Sequence, residues 1–162
     1  MPRPCRVLFV CTGNSARSQM AEALLAARGG GRFAAESAGS HPAGRVSRRA
    51  VAVLGELGID WSGRTPRAVR GLEREPWDLV ITVCDGAREA CPVFPGARAI
   101  AHWDLADPVG AVGSDDEIRT LFRRSRDTIA GLIDRLVALP VETLDPQALA
   151  ERVKEIGAAL SP

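Results

Sequence analysis

The sequence predicts an α/β fold in three layers, a four-stranded parallel sheet with helices on both faces. Two observations carry this. Short, continuous, β-branched apolar runs at residues 6–11 and 77–83 read as strands buried on both sides, the pattern of a parallel sheet. Segments with helical periodicity alternate with the strands, as crossover connections require. A chain of 162 residues, 46% of them apolar, is long enough for one domain spanning residues 1–162.

The elements follow in order. Residues 6–11 are the first strand. After the small and polar residues Thr12, Gly13, Asn14, Ser15 and Ala16, a helix begins at about Arg17. It places Met20, Ala23, Leu24 and Ala27 on one face and stops at Gly29-Gly30-Gly31. Residues 33–38 form a second, weaker strand that closes in the turn-like Ser37-Ala38-Gly39-Ser40. A helix over 47–57 holds Ala50, Val53, Leu54 and Leu57 in register, with Gly58 as its stop. Residues 59–76 are polar, Arg-rich and weakly periodic, so a loop with one short helix is expected. The third strand, 77–83, runs into Cys84-Asp85-Gly86. The fourth, 97–102, runs into a loop, Trp103 to Pro108 by number 103–108, marked by its acids and proline. Ser114-Asp115-Asp116-Glu117 is a capping box. The helix it opens carries Ile118, Leu121, Phe122, Ser125, Ile129, Leu132, Ile133 and Leu136 on one stripe, and Pro140 ends it. Asp145 and Pro146 then read as N-cap and first turn of a last helix, with Leu149, Val153 and Ile156 inward.

Composition narrows the function. A formal net charge of +1 gives no broad basic surface for nucleic acid. The apolar runs are too short to span a bilayer, and the first residues read as a short arm rather than a signal peptide. The four cysteines, Cys5, Cys11, Cys84 and Cys91, are not needed to hold a chain of this apolar content together. They point to a reduced, cytoplasmic resting state in which any disulfide is catalytic. Their spacing misses the paired short units of zinc sites, so no metal site is expected. A monomer is the expected state.

The chemistry concentrates where strands end. In open parallel sheets ligands sit outside the carboxyl ends of the strands, which places Cys11, Cys84 and the Asp107 loop on one edge. Backbone N–H groups of a tight loop ahead of a helix converge on a point that favours an oxyanion and the thiolate form of a cysteine held there. Thr12, Gly13, Asn14, Ser15, Ala16, Arg17 and Ser18 are thus the candidate oxyanion cradle. The planar Arg17 fork binds two oxygens, and Ser18 can donate its hydroxyl to the Cys11 thiolate. Gly13 and Asn14 both tolerate the positive φ that a closed loop needs. Asp107, stiffened by Pro108, is a candidate acid for a leaving oxygen. A strand-end cysteine is often only a small buried hydrophobe, and an aspartate before proline is often only a turn residue. The strand–loop–helix context with Arg17 and Ser18 favours a nucleophile instead. His41, His102 and Trp103 read as structural.

The stretch Val-Leu-Phe-Val-Cys-Thr-Gly-Asn-Ser-Ala-Arg-Ser at 7–18 resembles the phosphate loop of the low-molecular-weight protein tyrosine phosphatase fold, and Asp107-Pro108 resembles that family's general acid. More narrowly, the chain is similar to thioredoxin-coupled arsenate reductases built on this fold. The matching pieces are residues 11–22, Glu36-Ser37-Ala38-Gly39, Gly58-Ile59-Asp60, Cys84-Asp85, Cys91-Pro92, and His102-Trp103 leading to Asp107-Pro108. They cover a core of about 6–138 and leave a helical extension at about 140–162 outside.

The resemblance implies a cysteine relay that reduces arsenate to arsenite. Cys11 forms an arsenic adduct, Cys84 attacks it, Cys91 attacks Cys84, and thioredoxin recycles the disulfide. The alternative is a phosphatase working through a Cys11 phosphocysteine; a third class, an oxyanion-binding module, would not need Cys84 and Cys91. Phosphatases of the fold follow Asp-Pro with an aromatic residue, whereas Val109 follows here and the chain has no tyrosine. A small inorganic oxyanion is therefore the expected ligand, with weak aryl-phosphate hydrolysis alongside. Ala16 stands where many of these reductases carry another cysteine. Some members hold potassium through counterparts of Asn14, Glu22 and Ser37 and an aspartate. Arg67 stands where that aspartate is expected, which weakens the case for potassium and leaves Arg67 to supply the charge. No tightly bound cofactor is implied, and Cys5 has no assigned role.

Overall fold

The computed structural model describes residues 3–85 and 92–160. Strand β1 (Cys5–Cys11) is central because its residues can be buried on both sides: Val7, Leu8, Phe9 and Val10 are wholly inaccessible. It is flanked by β2 (Phe33–Gly39) and β3 (Leu79–Thr82), and β3 by β4 (Ile100–His102). All pairings are parallel, in the order β2-β1-β3-β4, with Phe9 opposite both Ser37 and Ile81.

Successive side chains of a strand alternate faces, and the core divides accordingly. Val7, Phe9, Cys11, Leu79 and Ile81 pack in one cluster with Met20, Leu24, Val53, Ile129, Ile133 and Val153 from the helices. Leu8, Val10 and Val80 pack on the opposite side with Val69, Leu72, Trp77 and Phe94. Among the described residues this second cover comes from turns rather than from regular helix. The short helix expected within 59–76 does not form; the segment is a run of turns whose Ala68 bridges to Gly39 at the sheet edge. Trp77 precedes β3 instead of starting it. Its indole donates to the Leu72 carbonyl at 2.8 Å, and the Arg6 guanidinium stacks over its ring at 4.1 Å.

Helix α1 (Arg17–Arg28) follows the β1 loop and buries Leu25 where Ala27 had been expected, Ala27 being exposed. Helix α2 (Arg48–Gly55) is capped by the Ser47 hydroxyl, which accepts from the Ala50 N–H. It ends short of Leu57, because Leu57 and Gly58 turn away, Gly58 with φ of +79°, and Leu57 is left exposed. Helix α3 (Asp115–Val137) opens on the predicted capping box, with both reciprocal bonds made. Leu121 of its predicted stripe faces out, whereas Arg126 is buried and bonds to the Val53 carbonyl and Glu56, tying α3 to α2. Helix α4 (Pro146–Ala158) is capped by Asp145 as expected. Its Leu149, Val153 and Ile156 join the same cluster as Phe9. Gly157 lies against Trp103, where a Cβ would meet the ring at 2.4 Å, and the Trp103 indole donates to the Val153 carbonyl at 2.9 Å. Helix α4 is thus packed on the residue that leads out of β4 toward Asp107. No helix among the described residues is long and apolar enough to cross a membrane.

Candidate active site

Cys11 ends β1, and the loop that follows is shaped from outside by residues 40–47. The carbonyls of Cys11, Thr12, Gly13 and Ser15 accept from the N–H groups of Ser40, His41, Ala43 and Ser47 at 3.1, 2.8, 2.8 and 2.9 Å. A trans peptide points its C=O and the following N–H in opposite directions. Tying those oxygens outward therefore turns the N–H groups of Thr12, Gly13, Asn14 and Ala16 inward. The Asn14 N–H shows where they aim: it lies 3.2 Å from Cys11 Sγ. Asn14 closes the loop with φ of 49°, the left-handed conformation its residue type tolerates. Gly13 was expected to share that role but has no positive φ.

The second donor to the sulfur is Ser18, whose Oγ lies 2.9 Å from Cys11 Sγ. Arg17, 2% exposed, sits at the first turn of α1. Its Nη1 donates to the Leu105 carbonyl at 3.0 Å, and its Nη2 lies 3.4 Å from Asp107 Oδ2. The β4 loop therefore both orients the guanidinium and brings Asp107 to the cradle. The Val109 N–H donates to Asp107 Oδ1 at 3.0 Å and fixes the carboxylate across Pro108. A cleft of about 790 Å³ opens beside the loop, lined by Ser15, Arg45, Arg48, Pro108 and Val109 among others.

Cys84 is fully buried one strand over, where Val83 N–H bonds to the Val10 carbonyl at 2.7 Å and Cys84 Sγ lies 3.8 Å from that same oxygen. The thiol is thus set beside the residue preceding Cys11, on the carboxyl edge of the sheet. Cys5, Cys11 and Cys84 are not disulfide-bonded. Burial pushes the Cys5 thiol up to about 11, with the nearby Asp78 carboxylate adding to it. Cys91 lies outside the described residues.

Several residues that hold the site were not singled out for that role in the sequence. Gly39 passes so close to the loop that a Cβ there would meet the Thr12 oxygen at 2.5 Å and the Asn14 nitrogen at 2.9 Å. Asn14 Nδ2 donates to Ser18 Oγ at 2.7 Å and to Ser37 Oγ at 2.9 Å, and the Ser37 hydroxyl donates to Glu22 at 2.6 Å. Burial pushes the Glu22 carboxyl up, against the opposing pull of the Ser37 hydroxyl and of Arg64 and Arg67. The guanidinium that reaches Glu22 is that of Arg64, at 3.5 Å, and not that of Arg67. Arg67 sends its side chain to Glu36 at 2.9 Å and offers Asn14 Oδ1 its backbone N–H at 2.8 Å. Arg67 was expected to supply the charge there; it acts on Glu22 from a distance, while Arg64 makes the direct contact.

A buried cysteine that accepts from the Asn14 N–H, with an arginine fork and a facing carboxylate beside it, is an arrangement suited to holding an oxyanion over a thiol at the edge of a parallel sheet. The chain matches the family model of low molecular weight phosphotyrosine protein phosphatases over residues 6–153 and belongs to that family. An arsenate reductase of Halalkalibacterium halodurans is 40% identical, over 76% of this chain and 88% of that protein. A solved structure described as an arsenate reductase in the phosphate binding state superposes with a TM-score of 0.69 at 33% identity, covering 82% of this chain and 96% of that one. The thioredoxin-dependent arsenate reductase of Corynebacterium glutamicum superposes with a TM-score of 0.54 at 28% identity, covering 82% of this chain and 63% of that one.

Proposed function

We propose that this protein reduces arsenate to arsenite through Cys11, Cys84 and Cys91 in turn. The observation that carries the proposal is the burial of Cys84 against the Val10 carbonyl, next to the strand end that presents Cys11. Hydrolysis needs only the first thiol. A second thiol on the adjacent strand end serves a reaction that draws two electrons from the protein.

Arsenate enters the cradle and takes the Arg17 fork in competition with Asp107, whose carboxyl then faces the leaving oxygen. Cys11 Sγ attacks arsenic, and an oxygen departs as water with the proton Asp107 supplies. The Cys84 thiolate attacks Cys11 Sγ; the S–As electron pair leaves with arsenic, which departs as arsenite, and a Cys11–Cys84 disulfide remains. The Cys91 thiolate attacks Cys84 Sγ and frees the Cys11 thiolate. The Cys84–Cys91 disulfide is returned to dithiol by thioredoxin, a reading supported by the thioredoxin-dependent relative. Every proposed group comes from one chain, so the working unit is a monomer. A relay that starts from free thiols suits the reducing cytoplasm.

The test is arsenite release with thioredoxin, thioredoxin reductase and NADPH, comparing the native chain with Cys84→Ser and Cys91→Ser and running glutaredoxin in parallel. Loss of multiple turnover in both variants, with hydrolysis of a small aryl phosphate retained, supports the relay. Full turnover in Cys91→Ser contradicts it, and turnover with glutaredoxin alone reassigns the reductant. Phosphate ester hydrolysis without arsenite release in the native chain would favour the phosphatase.

A further inference from the structure

We infer that Trp61 and Gln19 are positioning residues for Cys11, the far end of a one-way chain of hydrogen-bond donors that ends on its sulfur. The inference extends the reading of Cys11 as nucleophile and rests on it.

Direction in this chain is fixed by groups that have no choice. An indole N–H can only donate, and that of Trp61 lies 2.8 Å from Gln19 Oε1. The Gln19 oxygen is thereby the acceptor end of its amide, so Nε2 is the end that faces Asn14 Oδ1 at 3.0 Å. A second obligate donor, the Arg67 backbone N–H, meets the same Asn14 oxygen at 2.8 Å. With both donors on Oδ1, Asn14 must present Nδ2 to Ser18 Oγ, at 2.7 Å. Ser18 then accepts from Asn14 and has its own hydrogen left for Cys11 Sγ, 2.9 Å away.

Each link is interior. Trp61 is 4% exposed, Gln19 is 3%, and Asn14 and Ser18 are wholly buried, so water does not compete for the bonds. Donors in series polarise one another where the surroundings are poorly screening. A negative sulfur at the end gains from every link, whereas a neutral thiol gains little. Without Gln19, one of the two anchors on Asn14 Oδ1 is lost and the amide is freer to turn its oxygen toward Ser18. Ser18 would then donate to Asn14 instead of to sulfur.

Trp61 holds the other branch as well. The Arg64 guanidinium lies 3.9 Å above its ring centroid and reaches Glu22, which accepts from Ser37. The charged groups tied to the loop and to this network are Arg17 with Asp107, Glu22 with Arg64, and Arg67 with Glu36, with the Cys84 thiol on the adjoining strand. Trp61→Phe removes the donor and keeps an aromatic face for Arg64, which separates the two effects.

The experiment is alkylation of Cys11 by iodoacetamide across pH 4–9 in the full-length reduced chain, read by mass spectrometry of the tryptic peptide 7–17. Cys5 falls in a different peptide, and its raised value keeps it a thiol over that range. Trp61→Phe and Gln19→Met are each expected to move the midpoint of Cys11 reactivity to higher pH and to slow alkylation below the native midpoint by about 3- to 10-fold, the scale of one lost buried bond. The plateau rate at high pH should be unchanged, which reports an intact fold. The double variant should lose no more than Gln19→Met alone, because both act through one amide. An unmoved midpoint in both variants with a normal plateau would overturn the inference while leaving Cys11 as nucleophile. Midpoint shifts that add in the double variant would overturn the serial chain. A native Cys11 that titrates no lower than an ordinary thiol would overturn both readings. Arsenate turnover enters none of these outcomes.

Discussion

Asp107 and Gly39 act on the same loop from opposite directions, one by charge and one by lacking a side chain. Asp107 contacts Arg17 and keeps part of its carboxylate exposed. Replacing it by Asn should leave Cys11 alkylation intact while lowering the rate of aryl phosphate hydrolysis by about 10²- to 10⁴-fold, the scale of one general acid. The loss should be greatest for esters with poor leaving groups, as steady-state kinetics on a leaving-group series would show. Gly39→Ala sets a methyl group against backbone atoms of Thr12 and Asn14 that have no room to retreat. A cradle displaced by about 1 Å costs roughly 10²-fold in rate, and the strain should cost about 1–3 kcal/mol in stability. Denaturant unfolding and phosphate-dependent thermal shift check the two separately. At this scale Cys11, Arg17 and Ser18 were legible because their relation is local, carried by one strand–loop–helix turn. Gln19 and Trp61 were not: their bond joins residues 42 apart in sequence, and Arg17 meets the Leu105 carbonyl across 88. Nothing in the local pattern around Trp61 distinguishes a donor to the site from a core aromatic.

Elements were legible where their ends carry chemistry. The Ser114 box and the Asp145-Pro146 start of α4 were readable from side chains alone, since caps are set within one turn. The turns at 59–76 were harder, because arginine-rich sequence has fair helix propensity. There the chain is held by distant bonds, including the Gly39 N–H to the Arg67 carbonyl and the Val69 N–H to the Gly39 carbonyl. The start of β1 depends on a similar long-range tie. Asp78, just before β3, accepts from Arg3 and from the Arg6 N–H. Burial alone would raise its carboxyl, but Arg3, the Arg6 N–H and Arg98 together hold it below the usual value. A carboxylate held low stabilises the fold above its unfolded value of about 3.9 and loses that contribution as pH falls through the folded value. Asp78→Asn should therefore cost about 1–2 kcal/mol near neutral pH. The difference from native should shrink steadily below about pH 4. Urea titrations at several pH values measure this.

At the scale of the molecule, the sheet gathers on one edge the pieces that the sequence separates. The parallel order places the ends of β1 and β3 side by side, and the β4 loop returns over them to bring Asp107 to Arg17. Helix α4 secures the start of that loop through Trp103, so the last helix is joined to the edge of the sheet that carries Cys11 and Asp107. That junction was illegible because it depends on a glycine face meeting a tryptophan some fifty residues earlier. The relay further asks Cys84, which is fully buried, to reach first Cys11 and then Cys91. In the relay the protein itself supplies both electrons. This is tested most directly by exposing the reduced chain to arsenate without any other reductant, quantifying arsenite and mapping disulfides by mass spectrometry. One arsenite per chain and a matching Cys84–Cys91 disulfide are expected, with neither formed by Cys11→Ser. Arsenite released without that disulfide, or its formation in Cys11→Ser, would contradict the relay.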